Sequence, residues 1–341
     1  NSAAIHPRRQ PSVWQLDHSR EEEVVTSQTQ SLSDSQRIGV IGCGDHAAWA
    51  VRQIQGHLGF CAVLSEQALD QQWADATPGV LATAKQLECP WLDVSRADDG
   101  IDFFQSQRVD VLVLAGTRWI LSSDFIDAFP GKIINLHPSK LPNHRGAGAF
   151  SWQILNGVRE LTLSAYVVEH GIDDGPVLFQ LTDDHADHLE TPKQFIESHQ
   201  RLFLKAIDRI IELAMTGPLL SANTPSVQQP PLESSYFPLL KTALNGAIDW
   251  QWKLSDIDTF IRAFGPPYPG EFSFHRGQRF SIEKATPLPG QSMHPFCFGL
   301  VIRHAPDGAA HIACDGGILS IQKLMVNDVI VLASDFLRLG G

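Results

Sequence analysis

The chain has 341 residues, room for two domains at ~100–200 residues each, and its 43% apolar and 19% charged residues are ordinary for a globular protein. No apolar run approaches the ~20 residues that cross a bilayer and no secretory signal is visible, so no membrane partner is expected. A net charge of −12 excludes a broad nucleic-acid-gripping face, which needs clustered Lys and Arg. Cys43, Cys61, Cys89, Cys297 and Cys314 are odd in number and lack CxxC or zinc-like spacing, which reads as free thiols in a reducing, cytoplasmic setting.

Residues 1–36 are polar, rich in Ser, Gln and Glu, and lack apolar periodicity, so a disordered leader is expected there. Because residue 1 is Asn, this leader is read as a tag remnant or as part of something longer. The run Arg37–Gly42 then reads as a buried strand feeding a helix over Ala47–Leu58. Strands are expected at Phe60–Leu64, Val109–Leu114 and Lys132–Leu136, with helices at Pro78–Leu87 and Ile101–Gln107 between them. Such alternation implies a Rossmann-like α/β domain, a mostly parallel sheet covered by helices on both faces. Leu161–Val168 is a further strand and Pro192–Met215 a long amphipathic helix. Pro and Gly accumulate after residue 217, giving domain bounds of 37–217, a linker over 218–245, and a C-terminal domain over 246–341. In that last part short apolar runs separated by turn signals suggest a small antiparallel barrel.

The segment Asn135-Leu136-His137-Pro138-Ser139-Lys140-Leu141-Pro142-Asn143-His144-Arg145-Gly146 follows a strand and is too rich in Pro to continue it. It is a loop at a strand's carboxyl end, where open α/β sheets hold ligands. Asn135 and His137 are two apart and project to one side, either to act together or to satisfy loop backbone groups. The stretch resembles the N-x-H-P-S-x-L-P-x-x-x-G signature of folate-dependent formyltransferases, and Gly171-Ile172-Asp173-Asp174-Gly175-Pro176 matches that family's acidic motif at the right distance. The resemblance runs from about residue 37 to the carboxyl end. It implies a catalytic trio of Asn135, His137 and Asp173, with 10-formyltetrahydrofolate as co-substrate and no metal.

Attack of an amine on a formyl carbon creates a negative oxygen and a positive nitrogen. An Asn amide and a protonated His can each donate to that oxygen, one such donor being worth ~2.7–4 kcal/mol of barrier. The resemblance gives Asp173 the roles of polarising His137 and accepting the amine's proton. It also places the pterin beside Trp119, Ile120 and Leu121, after the strand Val109–Leu114, and beside Gly171 and Ile172. Trp119 reads equally as a core anchor. Ser139 and Arg145 are expected at the acceptor, Arg145 toward a phosphate or carboxylate. Tyr166 stands where many relatives carry a His.

Other patterns compete. Gly42-Cys43-Gly44-Asp45-His46-Ala47, with Glu66 after it, fits a dinucleotide turn and an NAD-dependent oxidoreductase, but equally a tight glycine turn between strand and helix. His185 and His188 beside Asp183, Asp184 and Asp187 could face one another on a helix, yet a solvated charged loop explains them as well. The C-terminal region resembles the OB-like accessory domain of methionyl-tRNA and amino-sugar formyltransferases. From residue 241 on it carries nine Lys or Arg against nine Asp or Glu, so no excess positive charge is present to track a tRNA. The expected acceptor is therefore a small-molecule amine, a nucleotide-linked amino sugar first, with no nucleic-acid partner. An amino acid or peptide intermediate, methionyl-tRNA, or hydrolysis of the formyl donor stand as alternatives. Flanking domains or a homodimer are left open.

Overall fold

The computed structural model describes residues 36–66, 79–117, 119–183, 189–221, 224–230 and 234–341. The expected leader, apart from Gln36, and the pair His185 and His188 lie outside the described residues. Strand and helix alternate from the start as β1 (Ile38–Gly42), α1 (Gly44–Leu58), β2 (Cys61–Glu66), α2 (Val80–Gln86), β3 (Trp91–Val94), α3 (Ile101–Ser106), β4 (Val111–Ala115), α4 (Ser123–Ala128) and β5 (Ile133–His137). Then come β6 (Arg145–Gly146), α5 (Ala149–Leu155), β7 (Leu161–Val167), β8 (Val177–Asp183) and α6 (Pro192–Thr216).

One seven-stranded sheet runs in the order β3-β2-β1-β4-β5-β7-β8. Its first five strands pair in parallel, as apolar runs buried on both faces should. The pairs β5–β7 and β7–β8 are antiparallel, so the sheet is mixed at one edge. Side-chain alternation sorts the core in two. Ile38 and Val40 join Ile54, Phe195 and Phe203 beneath α1 and α6, whereas Ile41, Leu64 and Leu112 join Phe104 and Phe125 beneath α3 and α4. Helix α6 is fixed at its start by a capping box, Thr191 with Gln194, and by Pro192 in the first turn.

The remaining elements are β9 (Tyr236–Phe237), α7 (Thr242–Asn245), α8 (Leu254–Phe264), β10 (Ser273–His275), β11 (Gln278–Pro289), β12 (Val301–His304), β13 (Ala310–Cys314), β14 (Gly317–Val326), β15 (Val329–Leu332) and α9 (Ala333–Phe336). Strands β10-β11-β14-β13-β12 form an antiparallel sheet with β15 added on β14. The expected antiparallel architecture is present, but β10 and β12 end the strand order, so the sheet is an open half-barrel. Register shifts between Ile282 and Ala285 let β11 bend. Ile257 and Phe260 of α8 and Ile312 and Ile321 of this sheet belong to the same apolar cluster as Ile54 and Phe203. Ser151 Oγ adds a bond to the Ala263 carbonyl at 2.8 Å, so α5 and α8 are joined by polar as well as apolar contact.

Strand order reverses between β1 and β4, which opens a crevice at their carboxyl ends. Gly42 ends β1 there in register with Ala115, and a Cβ on it would run into the Ala115 carbonyl oxygen. Because that obstacle is backbone, the strands would have to separate. Gly42→Ala is expected to cost about 1–3 kcal/mol, the usual range for overpacking. A urea midpoint equal to that of the wild type would contradict this packing.

Candidate active site

Asn135 and His137 occupy alternate positions at the end of β5 and so share a face. The antiparallel register sets Tyr166 opposite Asn135 and Ser164 opposite His137. These cross-strand pairs bring four polar side chains to one patch. Tyr166, only 3% exposed, donates its hydroxyl to Asp173 Oδ1 at 2.6 Å and accepts from Asn135 Nδ2 at 3.0 Å. The other Asp173 oxygen accepts from Gly146 N at 2.7 Å and lies 3.7 Å from His137 Nδ1. On the far side of its ring, His137 Nε2 bonds to the His144 carbonyl at 2.9 Å, which requires the hydrogen to be on Nε2. Nδ1 therefore faces the carboxylate. Burial, then the Asp173 charge, pushes the Tyr166 phenol well above its usual range, so it stays a neutral donor.

The loop after β5 is held at several points. Ser164 Oγ donates to the Ser139 carbonyl at 2.6 Å and accepts from Leu141 N at 3.2 Å, while Gln153 Nε2 holds the Pro138 carbonyl at 2.6 Å. Ser139, expected beside the acceptor, is buried, and its hydroxyl bonds to the His144 carbonyl at 3.1 Å, closing the loop on itself. Residues 229 and 235–238 lie against this loop. Arg145 and Gly146 pair in parallel with Tyr236 and Phe237, and the His144 ring stacks on Phe237 at 5.1 Å. Gln229 uses its whole amide. Its Nε2 donates to the Asp173 and Gly175 carbonyls at 2.9 and 2.7 Å, and its Oε1 accepts from Arg145 Nε and Nη2 at 3.1 and 2.8 Å. Among the described residues no carboxylate lies within 4 Å of Arg145. A separate cleft of about 430 Å³, lined by Lys140, Asn143, Gln153 and Arg159 among others, includes none of Asn135, His137 and Asp173.

Residues 23–203 match the family Formyl transferase, and residues 241–338 match Formyl transferase, C-terminal domain. The chain belongs to the formyl transferase family. Its sequence relatives include methionyl-tRNA formyltransferase of Geotalea uraniireducens, 28% identical over 246 residues that cover 71% of this chain and 74% of the relative. The same fold occurs in an N-formyltransferase from Helicobacter canadensis, solved with folinic acid and dTDP-3-aminofucose, at 18% identity and a TM-score of 0.62 over 84% of this chain and 98% of that one. HypX from Aquifex aeolicus, solved with tetrahydrofolic acid, shares it at 13% identity and a TM-score of 0.55, covering 88% of this chain and 46% of that one. This chain is thus a formyltransferase by family, and the oxidoreductase reading of Gly42 to Ala47 is set aside. In this formyl transferase that segment makes the tight turn into α1, with Cys43 Sγ donating to the Gly116 carbonyl at 3.3 Å.

The residues expected at the pterin divide in two. Trp119 and Leu121 are half-buried against the cluster under α3 and α4, whereas Ile120 is 80% exposed and Ile172 41% exposed, apolar side chains presented to solvent after β4 and β7. Gly171 is exposed in the same loop as Asp173. Among the described residues no group of three or more His, Cys, Asp or Glu could hold a metal, and no helix is long and apolar enough to cross a membrane. Two contributors escaped sequence reasoning. Gln229 lies in a Pro-rich stretch with no signal of its own, and Tyr166 stood out only as a departure from His.

Behind His137 the formyl transferase buries another histidine. His199 of α6 is 1% exposed, packs on the Phe150 ring, and neither ring nitrogen has a hydrogen-bond partner among the described residues. Burial first, then the nearby His46 and His137, pulls its pKa down to about 3. The unfolded chain takes up that proton below pH ~6.5 while the folded chain does not, so stability is lost as pH falls from 6.5 toward 3. At pH 5 this amounts to roughly 2 kcal/mol. His199→Met should therefore narrow the gap between urea midpoints at pH 7 and pH 5. An unchanged gap would show that the acid sensitivity arises elsewhere.

Proposed function

We propose that this formyltransferase carries a formyl group from 10-formyltetrahydrofolate to the primary amine of a small molecule, a nucleotide-linked amino sugar, with Asn135, His137 and Asp173 as the reacting groups. The observation that carries the reading is their convergence at the carboxyl end of β5, with Asp173 Oδ2 3.7 Å from His137 Nδ1. The bound folate supplies the formyl carbon. Asn135 spends one amide N–H on Tyr166 and keeps the other for the negative charge that develops on the formyl oxygen. His137, with Nε2 tied to the His144 carbonyl, presents Nδ1 to the gap beside Asp173, where a proton leaving the amine is shared by the two groups.

The exposed Ile120 and Ile172 and the backbone around Trp119, Leu121 and Gly171 suit the flat face of a pterin. On the acceptor side Arg145 is aimed by Gln229 and, among the described residues, meets no carboxylate within 4 Å, so an anionic group on the acceptor would complete it. Ser139 serves the acceptor only through the shape of the loop it closes. Support for a nucleotide sugar comes from the Helicobacter canadensis fold neighbour with its dTDP-3-aminofucose and from the balanced charge of residues 241–341. The sequence relatives favour a second reading, methionyl-tRNA, since those are methionyl-tRNA formyltransferases. The formyl donor would be offered with methionyl-tRNA, dTDP- and UDP-linked amino sugars and free amino acids together. The amino sugar is expected to win. Efficient tRNA formylation, weakening steeply with salt, would overturn the acceptor assignment.

His137→Ala and Asp173→Asn should each fold normally and lower turnover at least ~100-fold, the usual contribution of an acid–base group. Retention of more than about a tenth of wild-type turnover in either variant would remove these roles.

A further inference from the structure

We propose that Tyr166 is a positioning residue for formyl transfer, fixing which end of the Asn135 amide faces the reacting centre and which oxygen of Asp173 is left for His137. The inference rests on the reading of Asn135, His137 and Asp173 as the reacting groups. A phenol has one hydrogen to give, and an ionised carboxylate can only accept. The hydroxyl hydrogen of Tyr166 is therefore committed to Asp173 Oδ1 at 2.6 Å, and the phenol oxygen has only lone pairs left for Asn135 at 3.0 Å.

That direction decides the orientation of Asn135. If its amide were flipped, its carbonyl oxygen would face the Tyr166 oxygen with no hydrogen between them, a buried repulsive contact. With Nδ2 toward Tyr166, the same nitrogen carries a second N–H for the formyl oxygen. The Asp173 carboxylate is fixed in the same way. Oδ1 is held by Tyr166, so rotation about the carboxyl bond is stopped and Oδ2 keeps its place between Gly146 N and His137 Nδ1. Backbone register makes the arrangement available, since Tyr166 is the direct cross-strand partner of Asn135 and is 3% exposed. Water is thus poorly placed to substitute for the hydroxyl.

The test compares the full chain with Tyr166→Phe and Tyr166→His. Turnover is measured with 10-formyltetrahydrofolate and whichever acceptor wins the competition described above, and the Asn135 side-chain amide is followed by ¹⁵N NMR, its signals assigned by their loss in Asn135→Ala. Loss of a hydrogen bond to a charged group predicts a fall in kcat of about 10–100-fold in Tyr166→Phe, with KM for the folate changed less than about threefold. The Asn135 amide protons should lose slow exchange and shift. Tyr166→His, whose imidazole can also donate to Asp173 and accept from Asn135, should recover most of the lost kcat. The proposal is overturned by a Phe variant within twofold of wild type, by unchanged Asn135 amide signals, or by a fall in kcat that the His variant does not relieve. If Asn135→Ala and Asp173→Asn themselves keep wild-type turnover, it is the reading of the reacting groups that fails.

Discussion

The carboxylate of Asp173 is the constraint on which the rest of the site depends. It is largely removed from water, with 12% of its side chain exposed, and its two oxygens are divided between different parts of the chain. One accepts from Tyr166 on β7, and the other accepts from the backbone of Gly146 and faces His137. Its own carbonyl is held by Gln229, which reaches in from beyond α6. An ionised group so placed is tolerable only when donors meet it from several directions, and each donor here belongs to a different segment. The sheet register, the loop after β5 and the chain after residue 224 must therefore all be in place before the carboxylate can be.

The spelling of the acidic segment follows from the same crowding. Asp173 sits at φ 50°, in the left-handed region where a short polar residue is tolerated and a β-branched one is not. Gly175 passes so close to the Val167 carbonyl oxygen that any side chain would strike it, and Gly171 is packed against the carboxylate of Asp174. Two glycines around two acidic residues are thus what lets a tight connection between β7 and β8 turn one carboxylate toward the β5 loop while the other folds back on its own turn.

The sheet was legible because its parallel strands are nearly continuous apolar runs, as in Ile38–Gly42 and Val111–Ala115, and α6 because of its long amphipathic periodicity. Less legible were short or two-sided strands. Trp91–Val94 has only four residues, and Val177–Asp183 and Val329–Leu332 are half-exposed along their length, so neither strict alternation nor a buried run marks them. Only the start of β11 carries an apolar run, since Pro287 and Pro289 lie in its later part, which pairs with β14. In the candidate site, Asn135, His137 and Asp173 could be named from their motifs, but the network around them depends on register. That Tyr166 faces Asn135, and that Gln229 reaches both Asp173 and Arg145, are facts of pairing across 31, 56 and 84 residues, which no local pattern encodes.

The family matches cover residues 23–203 and 241–338, and the stretch between them is where Gln229, Ser235, Tyr236 and Phe237 lie. These residues nonetheless contact the β5 loop and the acidic turn directly. Gln229 joins the Asp173 loop to Arg145, Ser235 Oγ accepts from His144 N at 2.9 Å, and the Tyr236 ring and Phe237 carbonyl leave no space for a side chain on Gly146. A segment of this kind can change in sequence while the β5 loop and the acidic turn keep theirs, because its contacts are largely to backbone atoms and to one guanidinium. On the proposed reading, selection of the acceptor is physically separable from formyl transfer on that account. Strand register sets where Asn135 and His137 stand, and the surface next to Arg145, including a Tyr236 that is 57% exposed, is contributed by residues whose composition the sheet does not dictate.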